Sequence, residues 1–421
     1  MTEWRETTLG EVAVVQSGYA FKSKDWRDQG VPVVKIHNVR HGRVNLSDCS
    51  YVTGDIARGA ARYRLSRGDV LVTMSGEIGS VGVVRTDDHL VLNQRVGRVS
   101  VRAGASAELR YIAYVLQHPE LKAIMEVTAY GAAQPNISPS LLSSLPILLP
   151  SIQVQRYVSR VLGVMDALIE NNRRRVEVLE EMARAIYREW FVHFRYPGHE
   201  NVTLAVTPLG PIPDGWERTS LGDLVTTQYG YTESASDSEV GPRYLRGMDI
   251  NKRSYIDWST VPYCPIDDAA LARFRVEVGD VFVIRMADPG KVGMCEVETN
   301  AVFASYLVRI RPSSDRIGSY YLFFTLSADE YQGWVTGAST GATRKSVSAK
   351  VMTEPRIVLP PRQVQHDFEG AVRPLRTLMT RLVKQNARLR ALRDALLPKL
   401  VTGQIEVSSL DLDVLVEGSV A

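Results

Sequence analysis

Cysteine is scarce: the 421-residue chain has three, Cys49, Cys264 and Cys295, none in a CxxC spacing. That argues against a disulfide framework or a structural zinc site and suits a reducing compartment. No apolar run approaches the length of a membrane span, and the opening MTEWRETTLG is polar, with no signal-peptide core. The chain therefore reads as cytoplasmic. Neither sign of charge dominates, the formal net charge being +3, so any nucleic-acid surface must be a local patch. Catalytic strings are missing too. There is no Asp/Asn-Pro-Pro-aromatic string of the amino-methyltransferase kind. GEIGSVG (76–82) invites a nucleotide-loop reading, but VGVVR after it reads as a strand, not a helix, and no Lys-Ser/Thr closes it. A tight β-turn is the better reading, shared with Gly290 and Gly293. His37, His41 and Cys49 have no counterparts elsewhere in the chain that would suggest a ligand set, and the seven histidines are scattered. No catalytic residue, metal site or cofactor is assigned to this chain.

What is present is a repeat. The length exceeds one ordinary core and predicts two or more domains. WRETTLGEVAVVQSGY, from Trp4, lies without a gap over WERTSLGDLVTTQYGY, from Trp216, with seven identities in sixteen positions at an offset of 212. Trp4, Thr7, Leu9, Gly10, Gln16, Gly18 and Tyr19 recur as Trp216, Thr219, Leu221, Gly222, Gln228, Gly230 and Tyr231. RGDVLVTMSGEIGSVG (67–82) then matches VGDVFVIRMADPGKVG (278–293) at offset 211, and GAAQPNIS (131–138) matches GATRKSVS (341–348) at offset 210. LPSIQVQ (149–155) and LPPRQVQ (359–365) follow, also 210 apart. Four blocks in one order identify an internal duplication.

Each half opens with about 145 residues of short runs broken by Gly, Pro, Asn and Asp. VPVVKIHNV, DVLVTM and VGVVR read as strands, LRYIAYVLQ and YYLFFTLSADEYQ as short helices. A long helix follows, expected over 151–196 and again over 361–405. Pro374 is expected to kink or loosen the second. Between the halves, RYPGHENVTLAVTPLGPIPDGW carries no period and reads as a linker (197–215).

Apolar residues in the long helices follow a four-three spacing. They are Val154, Val158, Val161, Met165, Leu168, Leu179, Met182 and Ile186 in the first, and Val364, Phe368, Ala371, Leu375, Leu378, Leu382, Leu389, Leu392 and Leu396 in the second. Asn172 and Arg175 interrupt the first seam, and Gln385 occupies the place equivalent to Arg175. Two readings fit: a solvated stretch where the helices splay, or a polar layer that fixes register. Two seams in one chain pack most economically on each other. Run antiparallel, they would place a near two-fold axis between two unlike readers. DNA is the natural partner for such a ruler, because protein two-folds map onto half-sites about one helical turn apart.

This layout resembles the specificity subunit of type I restriction–modification enzymes. The resemblance spans nearly the whole chain. It rests on the W…LG openings at Trp4 and Trp216, GDV at Gly68 and Gly279, the LP…Q.Q entries to both helices, and LLPKLVTGQI (396–405) near the end. It implies an α+β fold: two β-rich target recognition domains (1–150 and 216–360) joined by two long antiparallel coiled-coil helices in a pseudo-two-fold repeat, with a tail at 406–421. It also implies a non-catalytic, DNA-binding subunit. Each domain would read one half of a split, asymmetric sequence; the helices would set the spacing and dock two methyltransferase subunits, and motor-nuclease subunits would join for restriction. S-adenosylmethionine, ATP and magnesium belong to those partners.

Affinity for DNA comes from Lys and Arg on phosphates, and specificity from a few side chains on base edges. The candidates are Lys35, His37, Asn38, Arg40, Arg43, Ser75, Gln94, Arg95, Gln134 and Asn136 in the first domain. In the second they are Arg246, Lys252, Arg253, Arg285, Lys291, Arg344 and Lys345. TGATRKSVS is the strongest single loop, and the helix arginines of NNRRR (171–175) either reach phosphates or solvate the rod. A duplicated coiled-coil scaffold for protein partners, without DNA specificity, is the alternative, disfavoured by basic loops at matching positions. A specificity segment of a fused restriction–methylation enzyme is a third reading, disfavoured by the self-contained start and the missing catalytic strings.

Overall fold

The structure, a computed structural model, describes residues 4–40, 42–129, 136–207, 210–339 and 346–405. Gln134, Arg344, Lys345, His41 and the tail at 406–421 lie outside the described residues. The chain divides into two compact units, Met1–Ala167 with Leu389–Ala421, and Leu168–Arg388.

In the first unit a six-stranded sheet runs in the order Ala13–Ser17, Val96–Val101, Val70–Thr73, Val81–Val83, Gly42–Val44, Val39–Arg40. A four-stranded sheet has Val31–Val34 and Leu90–Leu92 side by side at its centre. The second unit repeats the antiparallel core as Val225–Tyr229, Leu307–Pro312, Val281–Ile284, Val292–Met294. In both units the opening strand pairs antiparallel with the strand that leads into the long helix: Arg5 opposite Leu149, and Glu217 opposite Leu359.

The residues that recur between the halves hold these sheets. Leu9 and Leu221 are fully buried. A Cβ on Gly18 would run into the carbonyls of Leu92 and Asn93, and one on Gly230 into those of Phe303 and Ala304, so neither place tolerates a side chain. The Gln16 amide oxygen accepts from Arg98 at 2.7 Å, and Arg98 lies 3.7 Å from Asp69. Gln228, Arg309 and Asp280 repeat that chain of partners, with Arg309 and Asp280 at 3.3 Å. The aspartate of each GDV also caps its own turn, accepting from Ser66 N and from Glu277 N at 2.9 Å.

VPVVKIHNV is not one strand. It is Val31–Val34, a 3-10 turn Ile36–Asn38, and Val39–Arg40. Buried Asn38 bends the chain: its oxygen accepts from Lys35 N at 2.8 Å and its amide donates to Asn45 O at 2.9 Å. Such side-chain to backbone bonds compete with a strand ladder. Asp249 does the same in the second half, accepting from Arg246 N at 2.8 Å. The 197–215 stretch also has structure, a 3-10 turn His199–Asn201 and a hairpin of Leu204–Thr207 with Gly210–Pro213.

The first long helix is Ile152–Tyr187, ending in a π-helical turn Arg188–Val192 closed by His193 N to Arg188 O at 3.0 Å. Phe191 then sits among Tyr321, Phe368 and Trp216, with ring centroids 4.7, 4.9 and 5.9 Å away. The second runs from Arg362 through Val401 without a break at Pro374. Pro374 and Gly370 are both on the exposed face, so the carbonyl that lacks a proline N–H partner meets water.

The helices pair antiparallel within each unit. In the first, Val158 and Leu162 share a core with Leu397, Leu400 and Val401, and Arg393 meets Asp166 at 3.0 Å. In the second, Val176 packs with Met379, Leu382 and Val383. The seam departs from the four-three reading at Met182 and Leu392, which are 46% and 49% exposed, and at Arg175, which is exposed. Ala183 and Leu162 are buried instead. Each helix packs against domain residues as well as its partner, so the buried face is not the narrow stripe of an isolated pair.

Candidate nucleic-acid interface

The recurring block around GDV builds one loop twice. In the first domain it spans Ser75 to Gly79, between strands Val70–Thr73 and Val81–Val83. Gly76 and Gly79 are left-handed, at φ +71° and +77°, and Gly79 N closes the turn on Thr73 O at 3.0 Å. In the second domain Ala287 and Gly290 take the same conformations, at φ +70° and +98°, and Gly290 N closes on Ile284 O at 2.9 Å. An alanine at φ +70° is costly and is held only by surroundings that over-determine it. GEIGSVG is thus a tight turn between strands.

Each loop collects the other candidate segments. Met74 N donates to Arg95 O at 3.0 Å, Ile137 N to Met74 O at 2.8 Å, and Ser75 bridges to Asn136. Gln94 N reaches Tyr19 O at 2.9 Å, and Arg40 pairs with Glu77 at 3.3 Å. Segments 36–40, 75–77, 94–95 and 136 therefore meet around one sheet end. The second domain repeats this. Arg285 N donates to Tyr306 O and Val347 N to Arg285 O, both at 2.9 Å; Met286 bridges to Ser346, and Asn251 reaches Asp288 at 3.4 Å.

The candidates fall into two kinds. Some are committed to the frame. Lys35 donates to Ser50 Oγ at 2.6 Å and sits 3.7 Å over the Trp26 ring; burial lowers its pKa from the usual lysine value, against a smaller opposing effect from Cys49. Asn38 is buried, its amide used by the turn. Arg246 grips Asp249 with two bonds, at 3.2 and 3.1 Å. Ser75 is buried, with no hydrogen-bond partner for its hydroxyl among the described residues. Lys35, Asn38 and Arg246 are tied into the loop by these bonds, and Ser75 through its backbone bridge to Asn136.

Others face outward. His37, Arg40, Gln94, Arg95, Asn136, Lys252, Arg253 and Lys291 are exposed, and Arg43 is half-buried. His37 is anchored through Nε2 to Asp48 O at 2.8 Å, and Arg253 lies 4.0 Å from Asp257. The Arg285 guanidinium lies 4.7 Å over the Tyr229 ring, within cation–π range. Among the described residues no three His, Cys, Asp or Glu side chains gather as metal ligands.

Sequence reasoning missed Tyr306, Met248, Glu77 and Asp288. Tyr306 and Met248 are 55% and 68% exposed. All four were within reach of the 211 offset, which aligns Arg95 with Tyr306, His37 with Met248 and Glu77 with Asp288. The search for basic and polar residues passed them over.

The model of the type I restriction modification DNA specificity domain matches residues 1–181. The type I restriction enzyme EcoBI specificity subunit of Escherichia coli is 23% identical over 422 residues, covering 96% of this chain and 86% of that one. The MjaIX specificity subunit of Methanocaldococcus jannaschii is 25% identical over 362 residues, covering 82% and 79%. Over residues 1–181 the chain is similar to the type I restriction modification DNA specificity domain, and over most of its length to type I restriction enzyme specificity subunits. The crystal structure of a type I system S subunit from M. genitalium shares the specificity-subunit fold over 95% of this chain and 96% of that one, with a TM-score of 0.58 and 16% identity. Among the described residues, no helix is long and apolar enough to cross a membrane.

Proposed function

We propose that each β-rich domain reads one half of a bipartite, asymmetric DNA target, while the two long helices hold the interval between the halves and dock two methyltransferase subunits; motor-nuclease subunits join for restriction. The observation that carries the reading is the loop built twice with one backbone and different side chains. Arg95 and His37 in one domain stand where Tyr306 and Met248 stand in the other, and Arg285 stands where the first domain has the buried Met74. A fixed frame with changed tips is what two different base sequences require, since phosphate contacts position and side chains at base edges specify.

The exposed and half-buried set supplies the contacts: Arg40, Arg43, Gln94, Arg95 and Asn136 for one half-site, Lys252, Arg253, Arg285, Lys291 and Tyr306 for the other. Gln134, Arg344 and Lys345 belong to the same proposal by their place in the repeated GAAQPNIS and GATRKSVS blocks. DNA as ligand places the protein in the cytoplasm, in keeping with three free cysteines, two of them buried.

The test exchanges residues 1–148 for the matching domain of a relative and maps methylated bases across the host genome. One half of the methylated motif is expected to change and the other to stay. A change in both halves, or in neither, would overturn the reading.

A further inference from the structure

Each long helix passes the same strand end of its own domain, and there the two halves make one contact with opposite charges. After strand Val81–Val83, Arg85 donates to the backbone carbonyl of Asp166 at 3.4 Å and lies 3.8 Å from its carboxylate. After strand Val292–Met294, Glu296 accepts two bonds from Arg376, at 2.8 and 2.7 Å. Backbone geometry makes the positions equivalent. Gly68 N bonds Val84 O at 2.9 Å and Gly279 N bonds Cys295 O at 2.8 Å, so Arg85 and Glu296 each follow the matched residue. Gln155 and Gln365 make the same bonds at the helix entries, and Asp166 and Arg376 each lie eleven residues further on.

Neither pair is a surface ornament. The Arg376 and Glu296 side chains are 1% and 8% exposed, those of Arg85 and Asp166 31% and 13%. A buried ion pair adds little net stability over apolar residues, but one buried charge facing its like is strongly unfavourable. Such a device selects between partners more than it strengthens either one.

We propose that the two pairs form a charge-inverted key: a basic domain residue on an acidic helix residue in the first half, an acidic domain residue on a basic helix residue in the second. The key seats each domain on its own helix and so fixes the order of the two domains along the chain. The two seats differ in strictness. Asp166 also takes Arg393 at 3.0 Å and the Tyr114 hydroxyl at 2.8 Å, so a misplaced Glu296 there shares Arg393. Around Arg376 the other hydrogen-bond partners are Ser254 Oγ at 3.0 Å and Ser254 O at 2.9 Å. Ser254 belongs to the second domain and leaves with it. A first domain seated on the second helix sets Arg85 against a buried guanidinium that has lost its carboxylate. Arg376 is therefore the selective position.

The test uses full-length chains and thermal melting, which needs neither DNA nor partner subunits. In one chimera, residues 4–148 replace residues 216–358, so that the first domain sits on both helices. Adding Arg376→Asp is expected to raise the chimera's melting temperature and to lower that of the parent, by about 10 °C in the parent for loss of a buried partner in a unit of this size. A second arm, for a chimera that fails to fold, uses the parent alone: Glu296→Arg lowers the melting temperature, and Glu296→Arg with Arg376→Glu restores at least half the loss. A change of the same sign in chimera and parent, or no rescue by the second reversal, overturns the key.

Discussion

The Asn172 side-chain amide donates to the Asn386 side-chain oxygen at 3.0 Å, between two helices whose residues are 214 apart in sequence. The same amide reaches Gln385 at 3.0 Å, and Asn386 returns a bond to Ile169 O at 3.1 Å. Both asparagines are buried in an otherwise apolar stripe that continues through Val176, Met379, Leu382 and Val383. The interruption in the seam is a bonded polar layer, and a slip of either helix by one residue would leave these amides unpaired.

Asn172→Leu is expected to destabilise the second compact unit by about 1–3 kcal/mol, because it leaves the Asn386 oxygen buried without a donor. Asn172→Leu with Asn386→Leu is expected to regain that loss while weakening register. Chemical denaturation of the three chains measures the stability, and cysteine cross-linking between helices measures the register. If the double variant is less stable than the single, the layer acts as more than a pairing device.

The Gln155 and Gln365 carboxamides join each domain to its helix. Gln155 accepts from Glu108 N at 2.9 Å and donates to Pro150 O at 2.8 Å and Ser106 O at 3.2 Å. Gln365 accepts from Gly318 N at 2.9 Å and donates to Pro360 O at 2.8 Å and Arg316 O at 2.9 Å. This is why the chain repeats LP…Q.Q: each motif ends a strand, starts a helix, and sets the angle between them with one buried amide. Gln155→Leu and Gln365→Leu are each expected to cost about 1–3 kcal/mol, each in its own unit, through unpaired backbone groups. Hydrogen exchange at Glu108 and Gly318 should accelerate in the respective variant; unchanged protection there would refute the clamp.

Arg95→Ala and Arg285→Ala are expected to act on different half-sites. A lost base contact relaxes one position of one half, with about 1–3 kcal/mol less discrimination, whereas a lost phosphate contact weakens all sequences and lowers the salt slope by about one. Tyr306→Ala is expected to group with Arg285→Ala, and so is the pair Arg344→Ala and Lys345→Ala. Binding of the assembled complex to a panel of single-base target variants, at several salt concentrations, sorts the two kinds of effect. Loss of discrimination in the first half-site from Arg285→Ala would contradict the assignment.

The interval between half-sites is expected to follow helix length. Because the helices pair antiparallel, an insertion in one alone would unpair Asn172 from Asn386. Matched insertions of four residues, between Ala167 and Leu168 and between Arg388 and Leu389, keep both the Asp166–Arg393 and the Asn172–Asn386 contacts. Each adds about 6 Å of helix, close to two base pairs at about 3.4 Å, with a rotation of about 40°. The methylated motif should keep both halves and lengthen its gap, or methylation should fail where the partner subunits do not follow. An active variant with the original gap would sink the ruler.

The duplication was legible from end to end, while the purpose of its recurring residues came from the structure. Gly18 and Gly230 recur because no side chain fits there, and Gln16 and Gln228 because each accepts from the arginine that pairs with a GDV aspartate. The long helices were legible from their period, and the polar break in the seam from Asn172. These are local properties: a period, a turn residue, a pair of strings at one offset. Sequence by itself therefore determined the long helices, the repeat and the family that the chain resembles.

Which residues meet was decided only by the tertiary structure. Arg175 was placed in the seam beside Asn172 and is exposed, while Asn386, never singled out, is the partner. Met182 and Leu392 fit the period and face solvent, because the width of a buried face depends on everything that covers it. Lys35, Asn38 and Arg246 were picked as polar loop residues, and the structure shows each bonded to a neighbour that the fold brings to it. The inversion of charge between Arg85–Asp166 and Glu296–Arg376 was present in the letters, but a charge has no meaning for packing until its partner, about 80 residues away in each half, is brought within a few ångströms of it.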